Sequence, residues 1–143
     1  MIISMNALSM YSGDEIYAID VSVVSKVVRN MDWTVVPASQ ETVIGIASLK
    51  GGIITLLSLS MLLGYDRSEA ETHAIVLKPL ADGYGQMGLM VDNPGDLITV
   101  EDDSTISSHL TSDDKIASII SGLVESEGKL YRIIDVNFIM GRF

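Results

Sequence analysis

Few residues in this chain have the type and spacing that chemistry needs. His73 and His109 lie far apart, and neither has a second histidine three or four positions on, the spacing that would set two imidazoles on one helical face for a metal. Both read as structural or surface side chains. Asp102-Asp103 and Asp113-Asp114 carry oxygens suited to calcium. They lack the spaced Asp/Asn series, central glycine and terminal Glu of a calcium loop, so they read as a solvated acidic loop. Gly83-Tyr84-Gly85 sits in a hairpin bend with no helix start behind it, so it is no phosphate cradle. There is no G-x-S-x-G nucleophile elbow. Cysteine is absent, which excludes disulfides and thiolate metal sites and suits a reducing compartment. The expectation is a chain with no catalytic residue, no metal and no cofactor.

Charge and length narrow the partners. The net charge is -10, with nine Lys and Arg scattered along the chain. A nucleic-acid binder must neutralise phosphates, so nucleic acid and anionic membranes are set aside. No apolar run reaches the roughly 20 residues of a membrane helix. The start, MIISMNALSM, has neither a basic region nor a cleavage-like site, so no secretory signal is expected. At 143 residues and 48% hydrophobic, the chain is long and apolar enough for a folded core. The eight methionines suit an adaptable contact surface. Met87 and Met90 fall on opposite faces of one strand, so at least one belongs to the core.

The elements that would build this core are strands. Ile2 to Met10 and Glu15 to Ile19 flank a turn at Ser12-Gly13-Asp14. Asp20 can cap a single helical turn over Val21 to Val24. Lys26 to Arg29 is a short strand, followed by a turn at Asn30-Met31-Asp32 and an extended stretch from Trp33 to Val36 that Pro37 ends for want of an N–H donor. The central unit runs from Val43 to Gly64: two apolar strands around Gly51-Gly52, then a helical turn capped by Ser58 or Ser60 and ended by Gly64. Both faces of this hairpin are apolar, so both are expected to be covered. Tyr65 to Thr72 reads as a polar loop and the best lobe boundary. His73 to Pro79 and Gln86 to Asp92 form a hairpin turning at Asp82-Gly83. Asp96 to Val100 follows a break at Asn93-Pro94-Gly95, and Glu101 to Lys115 is an acidic loop.

The central unit has an echo. A shift of 77 positions lays Gly45 on Gly122, Gly51 on Gly128, Gly64 on Gly141 and Ser58 on Asp135, with apolar positions also in step. Either two hairpins resemble each other by chance, or two lobes share a topology. The residues themselves carry the reading as far as an all-β body, sandwich or barrel, with minor short helices, built for interaction.

One family accounts for the pattern. IGIASLKGGIITLLSLSMLLG resembles the signature of CheW-like domains, G-x-x-N-L-R-G-x-x-x-P-x-x-D-L-x-x-x-L-G, at Gly45, Leu49, Gly51, Leu59, Leu63 and Gly64. Tyr17-Ala18-Ile19 with Val24, Val27 and Val28, Gly88 to Asp92, and the C-terminal unit resemble further family segments in the same order. The resemblance implies a single CheW-like domain over 1–143. It would consist of two SH3-like five-stranded β-barrel lobes packed together, lobe 1 mainly 12–65 and lobe 2 mainly 73–143, with the strand 2–10 assigned to neither. It implies a non-enzymatic, cytoplasmic chemotaxis adaptor, recruited to membrane receptor arrays without entering the bilayer. Its partners would be the cytoplasmic tip of chemoreceptors and the regulatory domain of the histidine kinase CheA. The alternative is a scaffold of the same fold in another two-component or pilus pathway. The implied receptor groove is Val24, Lys26, Val27, Lys50, Gly51 and Ile54, with Met90 at its edge. The competing assignment makes its apolar members core and leaves only the lysines at the surface. Met87, Gly88 and Leu89 are the implied kinase contacts. This chain departs from the family at Ser48, Lys50, Thr55 and Ser58, where the family has Asn, Arg, Pro and Asp. Lys26 stands where an acid would pair with that Arg.

Overall fold

The computed structural model describes residues 4–36, 42–49, 52–79, 86–101, 105–106 and 119–140. In chain order the strands are β1 (Ser4–Ser12), β2 (Glu15–Asp20), β3 (Val24–Val28), β4 (Val43–Leu49), β5 (Gly52–Ser58), β6 (His73–Leu77), β7 (Gln86–Val91), β8 (Asn93–Glu101), β9 (Thr105–Ile106), β10 (Ile120–Ser126) and β11 (Lys129–Ile134). A 3-10 turn spans Val21–Val23, and two short helices, α1 (Leu59–Leu62) and α2 (Val136–Met140), follow β5 and β11.

Two compact units result, one of Met1–Val23 with Gly95–Phe143 and the other of Val24–Pro94. The first holds a sheet in the order β8-β1-β2-β11-β10-β9, the second a sheet in the order β3-β6-β7-β5-β4. This partition differs from the expected lobes 12–65 and 73–143. The reason is strand pairing: β2 joins β11 in parallel, so the N-terminal hairpin completes the C-terminal unit. The segment from Tyr65 to Thr72 lies inside the second unit and is no boundary.

Local chemistry explains the turns. Ser12 pairs with Glu15 around a two-residue loop whose first residue, Gly13, has φ of 60°. That is the position where a type II′ hairpin requires glycine. Ser126 pairs with Lys129 around Glu127 and Gly128, both at positive φ, the pattern of type I′. Asp20 caps the 3-10 turn by accepting from the Ser22 N–H at 2.9 Å. The expected break at Asn93-Pro94-Gly95 falls inside β8 instead. Proline is tolerated near the start of a strand. Ser9 Oγ bonds both the N–H and the carbonyl of Asp96, at 2.8 and 3.1 Å.

Each unit has its own core. In the second, Ile44, Ala47, Ile54, Leu56, Ala74, Val76 and Met90 pack with Met31, and Val28 closes against them. All five strands of that sheet therefore supply one cluster, as in a curled, barrel-like sheet. In the first, Ala7, Ala18, Val100, Val124 and Tyr131 do the same from five strands.

The 77-residue echo is structural. β4, β5 and α1 align with β10, β11 and α2 at the same offset. The register irregularity between Val43 and Gly45 recurs between Ile120 and Gly122. The Ser58 N–H donates to the Thr42 carbonyl, and the Asp135 N–H to the Ile119 carbonyl. The Met61 N–H donates to Ser58 Oγ, and the Phe138 N–H to Asp135 Oδ1. The second strand of each hairpin has a parallel partner, β7 for β5 and β2 for β11. Because Asp135 is an N-cap, Asp135→Ala is expected to lower unfolding free energy by about 1 kcal/mol. A denaturant titration with unchanged slope would show it.

Candidate interaction surface

The proposed groove residues separate on burial. β3 is an edge strand that, among the described residues, pairs only with β6. Val24 is half-buried, Lys26 is exposed and Val27 is 38% exposed. Ile54 and Met90 are core residues of the second unit, at 1% and 0% exposure. No partner can touch them without opening that core. Lys50 and Gly51 lie outside the described residues. Gly52 belongs to β5 and pairs with Leu49.

The implied kinase contacts are also interior. Met87, Gly88 and Leu89 sit on β7, which is flanked by β5 and β6, and all three are buried. A Cβ on Gly88 would meet Leu56 Cδ2 at 2.8 Å. Its glycine therefore serves close packing. Met87 and Met90 are both buried. The central hairpin is less covered than its pattern suggests: Ile53, next to the turn, is 61% exposed, while Leu57 farther along is buried.

A network of contacts around β4 and β5 fixes what surrounds these surfaces. Thr34 bridges to Ile46 through two backbone bonds of 2.8 and 2.9 Å. Asp32, Trp33, Thr34, Ile46, Ala47 and Ser48 line an open concavity of about 280 Å³. The Arg67 guanidinium lies over the Trp33 ring, 5.0 Å from its centroid. The Met31 N–H donates to the Thr72 carbonyl at 2.8 Å, and the Asn30 N–H donates to His73 Nδ1 at 3.0 Å. His73 is thus a structural acceptor. His109, the acidic pairs and Gly83 to Gly85 lie outside the described residues.

Glu71 is the residue that sequence reasoning missed. It has no exposed surface. The Ser58 hydroxyl donates to its Oε1 at 2.6 Å, and the Ser60 N–H donates to its Oε2 at 2.9 Å. The carboxylate therefore sits at the start of α1, where its charge meets unpaired backbone donors. In the sister unit Asp135 supplies both cap and charge; here Ser58 caps and Glu71 brings the charge. The departure of Ser58 from the family's Asp was the available signal. Three carboxylates between Tyr65 and Thr72, Asp66, Glu69 and Glu71, gave no means of choosing among them by type.

Among the described residues no cluster of three metal-ligating side chains occurs, and no helix is long and apolar enough to cross a membrane.

Comparison with known proteins places the chain. A family model, CheW-like domain, matches residues 6–142. The chain is similar to a chemotaxis protein CheW of Thermotoga maritima, 26% identical over 133 residues covering 93% of this chain and 85% of the relative. It is 22% identical over 126 residues to a chemotaxis protein CheW of Rhizobium meliloti, covering 87% and 80%. The crystal structure of the scaffolding protein CheW of Thermoanaerobacter tengcongensis has the same fold, with TM-score 0.78 at 22% identity over 93% of this chain and 90% of that one. A family match across nearly the whole chain, on a fold whose two hairpin units obey one plan, means that this chain belongs to the CheW-like family.

Proposed function

We propose that this chain is a non-enzymatic chemotaxis adaptor that couples the cytoplasmic tip of chemoreceptors to the regulatory domain of the histidine kinase CheA. The observation that carries the reading is the CheW-like match over residues 6–142, with curated relatives named as chemotaxis proteins. The burial pattern supports it, because the apolar strands are spent on two cores while β3 stays open at a sheet edge. Val24, Lys26 and Val27 form the described part of the proposed receptor site; Lys50 and Gly51, its other proposed members, lie outside the described residues. Such a protein works in the cytoplasm beside the membrane.

Calorimetric titration of the full chain with a CheA regulatory domain and with a chemoreceptor tip fragment from the same genome tests the reading. Binding to both is expected. Binding to the kinase domain alone would favour a scaffold of this fold in another pathway. Binding to neither would end the adaptor reading.

A further inference from the structure

β4 leaves a rung of its outer edge unpaired. The Ile46 N–H and carbonyl both go to Thr34, so they point away from β5, and Ile46 opposite Thr55 is a non-hydrogen-bonded pair of the β4–β5 ladder. The register is regular from Gly45 to Leu49. Ser48, two residues on, therefore turns its own N–H and carbonyl to the same outer edge. A continued ladder would set Asp32 opposite Ser48. The bridge stops at Thr34 instead, because the Asn30 and Met31 N–H groups are bound to His73 and Thr72 and carry the chain away from β4. Among the described residues, neither backbone group of Ser48 on this edge has a partner. The space between Asp32 and Ser48 is the open concavity of about 280 Å³.

We propose that this gap takes a short extended peptide segment of a partner, hydrogen-bonded to Ser48 as an added rung and carrying a basic side chain to Asp32. An open donor and acceptor on one strand edge are what strand addition uses. A helix has spent its backbone groups internally and cannot supply the rung. The volume lies just under the roughly 300 Å³ at which ligand pockets begin, which suits a few residues rather than a folded surface. Trp33 gives the gap an apolar wall. The sign of the partner comes from Asp32, which is exposed and in no ion pair with a described residue. Arg67 does not line the gap; it lies over Trp33 and donates to the Glu71 carbonyl at 3.4 Å. A net charge of -10 also favours a basic partner at long range. The proposal does not depend on the adaptor reading, whose receptor site lies on β3 and the β4–β5 turn.

The experiment titrates the full chain with a blocked pentapeptide, Thr-Val-Lys-Val-Thr, by calorimetry and by the emission of Trp33, the sole tryptophan. Two further peptides replace its Lys by Glu or carry N-methyl groups along the backbone. The Lys peptide is expected to change Trp33 emission saturably and to bind about tenfold tighter than the Glu peptide. Asp32→Asn is expected to bring those two peptides within about twofold of each other. The methylated peptide is expected not to bind. Ser48→Pro removes the outward N–H while sparing the ladder with β5, and should lose binding as well. Thermal melts report whether each variant folds, and the methylated peptide tests the same rung on the unaltered chain. Equal affinity of the Lys and Glu peptides for the unaltered chain overturns the proposal, as does retained binding of the methylated peptide or no saturable signal with any of them. None of these results bears on binding to the kinase domain or the receptor tip, so the adaptor reading stands or falls by its own titrations.

Discussion

Glu71→Ala is expected to lower unfolding free energy by about 3 kcal/mol, because it strands the Ser58 hydroxyl and the Ser60 N–H inside the second unit. Both bonds are short, at 2.6 and 2.9 Å, and the carboxylate has no exposed surface. A buried donor without its acceptor bears the whole desolvation cost. The loss should appear as a lower denaturant midpoint. Glu71→Gln keeps one acceptor oxygen and is expected to lose less. The sister unit suggests a rescue. Ser58→Asp rebuilds the cap that Asp135 makes at the same place. In the Glu71→Ala background it is expected to recover part of the loss. Alone it sets a second carboxylate against Glu71 and is expected to destabilise the fold by like-charge repulsion. A double-mutant cycle reads this coupling, and additive effects would refute it.

Gly45→Ala is expected to cost about 3 kcal/mol, through collision rather than lost contact. A Cβ at Gly45 would run into the Thr34 carbonyl oxygen and stand 2.6 Å from Trp33 Cε3. The obstacle is backbone, held by the paired bonds between Thr34 and Ile46, so it cannot swing aside. Relief would break those bonds and shift Trp33 from beneath Arg67. Trp33 is the sole tryptophan, so the native emission spectrum should change along with the midpoint. Gly52→Ala is the control. A Cβ there meets nothing within 4 Å, and the expected change is within about 0.5 kcal/mol. Equal costs at the two positions would show that the close approach of Trp33 and Thr34 to β4 contributes little.

Ile54 and Met90, expected at the receptor groove, and Met87, Gly88 and Leu89, expected at the kinase contact, are packing residues. Of the groove positions on β3, Lys26 and Val27 stay at the surface.

The local features were legible in the residues alone. Gly13 and Gly128 take positive φ at turns, and Asp20, Ser58 and Asp135 cap their helical turns within three positions. The repeat was legible too, because turn, strand and cap each depend on a few neighbours and keep their spacing when copied. Only the tertiary structure decided that β1 and β2 join the C-terminal strands, since nothing local in Ile16 to Ala18 names Tyr131 to Ile133 as the parallel partner. It alone decided that β7 is buried on both faces, because a strand with apolar residues on both sides carries no period to show which side meets water. It alone singled out Glu71 from the carboxylates around it. A charge becomes interior when distant donors converge on it, and Ser58 and Ser60 reach it only once β5 and α1 are folded.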